Sequence, residues 1–455
     1  MRYEGSVISR ALGLSRVCAA LAGALPAALA AQTADSPRPA AVQDPAPAWS
    51  LHEQATWIDQ YHPSFNSPYE GLNSLTADPE SARTFSFSIF LGYRVLPDTE
   101  VYYNPEVLQG HGLSGTVGVA GFPNGEGGKA SFPNFHYNTS RLFIRQTFEL
   151  GGGKQAFEDD QNQIARDYDM DRITLTVGKF SASDLFDANT YSHDPRTQFM
   201  NWALLESAAW DFPADALGYT GGFVAEWNTK PWALRYGIFM EPAVSNGTVL
   251  DDHVREAHGQ ILEFDRHYAV GDLSGTFRPF VFWNQAHMGN YEDALANPAI
   301  ADALVESRAY RSKVGFGLSW EQEVTNDLGA FVRLSWDDGR TESFAYTEID
   351  RSLAAGLSMN GTRWSRKEDT LALAAVVNGI VPSHQAYLAA GGTQGLILGD
   401  GALSYGPEEI LEAYYSVQVA KWISLSPDFQ YAEHPGYNRA RGPVPIYSVR
   451  VHLGF

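Results

Sequence analysis

The chain has 455 residues, with 53 Asp and Glu against 32 Lys and Arg; the resulting net charge of −21 repels phosphate backbones and argues against nucleic-acid binding. At 44% hydrophobic and 19% charged residues, with 11 Trp, 22 Tyr and 25 Phe, it is too aromatic and too weakly charged for disorder. A single cysteine, Cys18, excludes an internal disulfide framework and any multi-cysteine metal site.

The N-terminal segment carries Arg2, Arg10 and Arg16, then the small apolar stretch VCAALAGALPAALAA (17 to 31), with an A-x-A pattern at Ala28 and Ala30. This predicts a secretory signal peptide over 1–30. The apolar run is too short, and too interrupted by Pro26, to serve as a membrane helix. Residues 31–49 are rich in Ala and Pro without periodicity and read as a disordered lead-in.

From residue 50 onward the chain alternates apolar and polar side chains in runs long enough to cross a bilayer as β-strands. Such runs fall at 50–61, 83–94, 99–107, 140–150, 171–181, 218–228, 231–241, 256–268, 275–288, 310–323, 328–337, 350–361, 368–378, 408–421, 423–432 and 444–455. The last shows the pattern most clearly: Tyr447, Val449, Val451, Leu453 and Phe455 share one face, and Ser448, Arg450, His452 and Gly454 the other. Connections alternate long and short, as they do in a barrel with long outer loops and tight periplasmic turns. The exception is the polar segment 151–170, read as one long periplasmic turn. The fold expected is a closed antiparallel transmembrane β-barrel of about sixteen strands, occupying 50–455. Alternation also describes a half-buried soluble sheet, so a secreted β-rich binding protein or hydrolase stays as an alternative. The terminal aromatic Phe455 is similar to the signal read by the outer-membrane assembly machinery.

Both signs of charge would line the lumen: Arg94, Arg141, Arg145, Arg172, Arg235, Arg278, Arg311, Lys313, Arg333 and Arg450, with Glu100, Glu106, Glu226, Glu321, Asp337, Glu412 and Asp428. Guanidinium groups donate and carboxylates accept, which suits a neutral polyhydroxylated solute, although mutual pairing that stiffens the wall is the commoner explanation for any one of them. The longest outer connection, 182–217, is the candidate for folding inward. It offers Asp184, Asp187, Asn189, Tyr191, His193, Asp194, Arg196 and Trp202, a mix of aromatic faces and planar polar groups suited to sugar rings.

No chemistry, cofactor or metal is implied. GEGGKA (125 to 130) and GGGKQ (151 to 155) lack the spacing of a phosphate-binding loop. DYDMDR (167 to 172) has Arg172 where a calcium loop needs Gly. The histidines show no metal-ligand spacing, and no nucleophile elbow occurs.

LHEQATWIDQYHP (51 to 63), EVYYNPEVLQGHGLS (100 to 114), GVAGFPNGE (118 to 126), RLFIRQTF (141 to 148), the run from Thr174 to Leu204, GYTGGFVAEWN (218 to 228), NRARGPV (438 to 444) and the terminal VHLGF together resemble the OprB-type carbohydrate-selective porins. The resemblance implies a 16-stranded outer-membrane barrel admitting glucose and related sugars by passive diffusion, through a constriction of inward loops, Arg and Glu. Glu106, Arg141 and Arg145 match constriction-wall positions; Arg94, Glu100, Arg172 and the third loop join them as candidates for the substrate path. A general or cation-preferring porin is the alternative, since surplus acid on the loops would concentrate cations at the mouth. Gln146, Glu53, Asp59, Lys179 and Arg351 fall on nominal lipid faces. Either the alternation slips there or those faces pack in a homotrimer.

Overall fold

Period-two alternation gives each strand one greasy and one polar face, and a sheet made of such strands satisfies its backbone in a membrane only by closing on itself. In the computed structural model, which describes residues 47–128, 131–297, 300 and 303–455, sixteen antiparallel strands pair in sequence order and the last returns to the first. They are β1 (Trp49–His62), β2 (Glu80–Leu96), β3 (Thr99–Gly110), β4 (Phe132–Phe157), β5 (Arg166–Phe180), β6 (Thr220–Asn228), β7 (Trp232–Met240), β8 (His258–Val270), β9 (Leu273–Met288), β10 (Ala309–Thr325), β11 (Leu328–Asp337), β12 (Arg351–Gly361), β13 (Arg366–Gly379), β14 (Glu408–Ala420), β15 (Ile423–Glu433) and β16 (Val444–Gly454). The expected signal peptide 1–30, and the lead-in as far as residue 46, lie outside the described residues.

On β1, Leu51, Trp57 and Tyr61 are exposed on the outer wall, while Gln54, Thr56, Ile58 and Gln60 are buried inside. Closure pairs Trp57 with Val451 and Gln54 with Gly454. The Phe455 carbonyl accepts from Glu53 N at 3.1 Å, and its ring stacks on Trp422 at 5.7 Å.

Of the polar side chains expected on the outer wall, Asp59, Lys179, Arg351 and Gln146 have local partners. Asp59 and Arg83, directly opposite in the β1–β2 register and near the ends of their strands, form an ion pair at 2.9 Å, with the guanidinium over the Trp57 ring. Lys179 reaches Asp215, and Arg351 donates to the Ile380 carbonyl at the outer rim. Gln146 lies near the middle of the long strand β4. It sits opposite Thr99, at the periplasmic start of β3, and accepts from that hydroxyl.

A correction concerns 151–170. Most of this segment is strand rather than turn: Lys154 to Phe157 pair with Asp169 to Arg166, leaving 158–165 as the connection, and Asp167 to Arg172 belong to β5. The three glycines and the run of charges hide the alternation. β4 likewise begins eight residues before its expected start, because residues 132–139 pair with the outer end of β3 despite Pro133.

One hydrophobic cluster lies inside the barrel toward β11–β16, a second packs Phe186, Trp210 and Phe212 of the third loop against β3–β9, and loops supply much of the first. Leu75, Phe122, Phe199, Leu204, Tyr291, Ile349, Tyr387, Ile397 and Tyr437, all from outer loops, are fully buried together.

The outer wall gives a depth-dependent prediction. Leu373 is exposed in the middle of β13 and Leu51 near the periplasmic end of β1. Leu373→Arg lowers stability by roughly 2–4 kcal/mol and Leu51→Arg by no more than about 1, read by equilibrium unfolding in lipid.

Candidate functional site

The third outer loop, 181–219, leaves β5 and crosses the lumen, and buried charge fixes its course. Asp187 is fully buried. Its carboxylate accepts from Arg333 Nε on β11 at 3.3 Å and from Ser207 N, its carbonyl accepts from Arg333 Nη2 at 2.9 Å, and its amide donates to Glu263 on β8 at 2.7 Å. Further along, Arg450 on β16 donates to the Pro195 and Gln198 carbonyls, and Glu412 on β14 accepts from the Met200 and Asn201 amides. At the far end Asp211 accepts from Lys313 on β10 at 2.8 Å and from the amides of Phe344, Ala345 and Tyr346 in the sixth outer loop. Removing one partner of such a pair strands a buried charge, so each contact fixes the loop's position more than it adds net stability.

With the far side filled, a cavity of about 690 Å³ remains against β1–β5. On its wall, Arg196 from the third loop donates to Glu106 on β3 at 2.6 Å and to Glu126 in the second outer loop at 2.7 Å. Glu106 also accepts from Ser88 at 2.8 Å and from the Tyr219 hydroxyl at 3.0 Å. Beside it Arg141 on β4 forks onto Asp184, whose carboxylate also caps Ser181 N at 2.9 Å, and the guanidinium lies over the Tyr219 ring. Asp194 accepts from the Arg196 amide at 2.9 Å, and the nearby guanidinium overcomes the effect of burial and holds the Asp194 carboxyl below its usual range. Phe143, Phe180, Trp202 and Tyr346 give the cavity apolar faces, the last two stacked at 6.0 Å.

The structure therefore divides the sequence candidates into four groups. Glu106, Arg141, Asp184, Asp194 and Arg196 come together on one stretch of the cavity wall. Arg145 also lines the cavity, but four residues along β4 toward the periplasm. Arg94, Glu100 and Arg172 lie near the periplasmic end: Glu100 is buried, paired with Arg94 at 3.3 Å and bonded by the Tyr102 and Tyr168 hydroxyls, and Arg172 stacks on Phe157 and Tyr168. Asp187, Asn189 and Tyr191 stand against β8–β11, where Asn189 reaches Ser319 and the Tyr191 ring occupies the space above Gly329.

Glu126, Glu206 and Tyr219 were missed. Glu126 lies in a glycine-rich loop with no strand pattern to orient it, and Tyr219 falls where the loop rejoins the wall. Glu263 and Asp265 on β8 were also passed over; with Glu226 they hold Arg235 at 2.6–3.0 Å, so this part of the wall is paired. Several buried atoms lining the cavity, among them Glu126 Oε2, Asn162 Oδ1, Thr176 Oγ1 and Glu206 Oε2, have no hydrogen-bond partner among the described residues. Three side chains close enough to share a cation, Asp251, Asp252 and His253, sit in the outer loop 241–257, and none of them lines the cavity.

A closed barrel with an apolar outer belt, a charged lumen and an inward loop around an aqueous path defines an outer-membrane diffusion porin. The sequence profile described as "Carbohydrate-selective porin, OprB family" matches residues 73–455, and the chain belongs to this family. It is a carbohydrate-selective, non-enzymatic channel of the outer membrane. Among solved structures it is similar to the high-pH structure of Pseudomonas putida OprB, with 15% identity over 90% of this chain and 94% of that one and a TM-score of 0.68, which shows the shared fold. The low-pH structure of the same protein aligns at 12% identity over 90% and 93%, TM-score 0.49. The channel DcaP of Acinetobacter baumannii aligns at 10% over 90% and 97%, TM-score 0.46. No curated protein sequence matches the chain.

Two predictions concern the loop. Arg333→Ala leaves Asp187 buried without its counter-ion and costs roughly 3–5 kcal/mol, seen as a lower temperature for the heat-induced gel shift. The second concerns His193 and Glu206, which face each other at 3.2 Å on the cavity wall, with Asp187 and Arg333 nearby. Burial pushes the Glu206 carboxyl up to about 7. Burial opposes the charge on His193, but the Glu206 carboxylate outweighs it and raises the imidazole above its usual value. The folded protein therefore binds protons that the unfolded chain releases. Glu206 weakens the fold as pH rises from 4.5 to about 7, and the His193 contribution, complete below 6.5, fades as pH rises through its folded value. Thermal unfolding occurs at a higher temperature at pH 5 than at pH 8, and Glu206→Gln narrows that difference.

Proposed function

We propose that the channel passes glucose and related small sugars into the periplasm by passive diffusion, and that the solute crosses between Glu106, Arg196 and Glu126 on one side and Arg141 and Asp184 on the other. The observation that carries this reading is the pairing of the two guanidinium forks with carboxylates. This stretch of the path thus bears donors and acceptors side by side rather than charges of one sign that would select ions. Sugar hydroxyls both donate and accept, and each can exchange one contact for another along such a ladder. The aromatic faces of Phe143, Phe180, Trp202 and Tyr346 suit the apolar C–H face of a pyranose.

The chain reaches its site by export, with residues 1–30 removed as a signal peptide, and the assembly machinery reads Phe455 at the end of β16. The outer wall then contacts lipid. Asp59, Lys179, Arg351 and Gln146 on that wall have partners within one chain, and a homotrimer would cover the remaining face around Glu53.

Single-channel conductance in planar bilayers tests the path. Glucose titrated into the bath blocks the wild-type current. Glu106→Gln and Arg141→Gln each raise the half-blocking concentration about 3–10-fold, equivalent to roughly 0.7–1.4 kcal/mol. A wild-type current that glucose never reduces would leave a general or cation-preferring porin.

A further inference from the structure

The β4–β5 hairpin reaches well past its neighbours on the periplasmic side. The β3 register with β4 begins at Thr99 opposite Gln146, and that of β6 with β5 ends at Asn228 opposite Arg172. Beyond those levels β4 continues to Phe157. Gly151, Gly152 and Gly153 follow, at φ of 101°, 80° and 96°, where the β4–β5 register shifts twice. Three successive left-handed residues bend the hairpin as side-chain-bearing residues could not.

The bend brings the tip, 158–165, back beneath the barrel mouth and onto the inner wall. Asp159 meets His52 at 3.1 Å, Gln161 donates to Gln54 at 3.1 Å, and Arg94 reaches the Ala165 carbonyl at 3.5 Å. Ile164 is buried, and any side chain at Gly92 would press on it. The Arg94, Glu100 and Tyr168 network described above holds the same hairpin.

The tip forms part of the cavity. Gln161, Asn162 and Gln163 line its periplasmic end with Gln54, Arg145 and Thr176. Arg145 differs from Arg141 and Arg196: among the described residues no carboxylate lies within 4.0 Å of it. It stacks at 5.0 Å over Tyr102 and 5.4 Å over Phe143, and donates to the Asn162 carbonyl at 3.0 Å. Beside it the Asn162 Oδ1 and Thr176 Oγ1 atoms are the unpartnered ones noted above.

The geometry points to a second sugar-contact station at the periplasmic end of the path, built by the folded-back hairpin, in which Arg145 donates to one hydroxyl of a vicinal pair while Asn162 Oδ1 and Thr176 Oγ1 bond the other. It lies four residues below Arg141 on the same strand, roughly 13 Å at about 3.3 Å per residue. The station rests on the reading that sugars cross the constriction above it, and acts in series with that constriction. An acceptor and a hydroxyl with no partner among the described residues, beside a guanidinium with no carboxylate within 4.0 Å, are the groups a neutral diol can satisfy at once.

The test uses the full channel in planar bilayers, with glucose added from one side at a time. Asn162→Gly keeps the left-handed backbone and the carbonyl that holds Arg145, and Thr176→Val keeps the shape of the wall. The double variant is expected to raise the half-blocking glucose concentration about 3–10-fold from the periplasmic side. If the double variant does not insert, Thr176→Val alone carries the same expectation at about half the logarithmic shift. Equal block of wild type and variant from the periplasmic side, while Glu106→Gln still weakens block, would overturn the station and leave the constriction intact. Tighter block by gluconate than by glucose, lost in Arg145→Gln, would show an anion site instead. If glucose blocks the wild type from neither side, the sugar path itself fails.

Discussion

The buried ion pair between Asp187 and Arg333 is the contact on which the rest of the channel depends. Sixteen strands enclose far more space than a small solute needs, and an unfilled barrel of this size conducts like a water-filled tube. Asp187 and Arg333 tie the third loop to the side of the barrel opposite Glu106, and Lys313, Glu412 and Arg450 post it at further points round the wall. The loop then presents Arg196 to that carboxylate. Selectivity at one wall is therefore set by charge buried in the other.

Alternation made the barrel legible because a lipid-facing wall tolerates few exceptions: a strand such as β16, with five apolar residues on one face, has a single orientation. The same rule was silent where the chain leaves the bilayer. Residues 151–170 carry three glycines and mixed charge, so nothing marked them as strand, although their backbone pairing continues. Candidate residues were legible as lumen-facing but not as to level. Glu100 and Glu106 share a face of β3 six residues apart, and only the hairpin touching one and the loop touching the other separates their roles. Glu126 and Tyr219 lie where no period orients a side chain, and spacing could not have found them.

Local charge pairing gives the strongly acidic chain a nearly neutral path. Arg235 is shared among three carboxylates, and Arg278 joins Asp265 and Glu321 on the next strands. The wall that lines the filled side thus quenches its own charge. What remains for a solute is a narrow strip of β1–β5 where the pairs are accessible, and where several acceptors still lack donors.

The posts that hold the third loop come from both ends of the sequence order: the loop itself follows β5, while Glu412 and Arg450 lie on β14 and β16. Until β16 pairs with β1, those posts do not close around the loop. The filter is therefore a late product of assembly, completed only when the C-terminal strand has zipped against β1, and a barrel stalled short of that point would be an unguarded hole rather than a slower version of the finished channel.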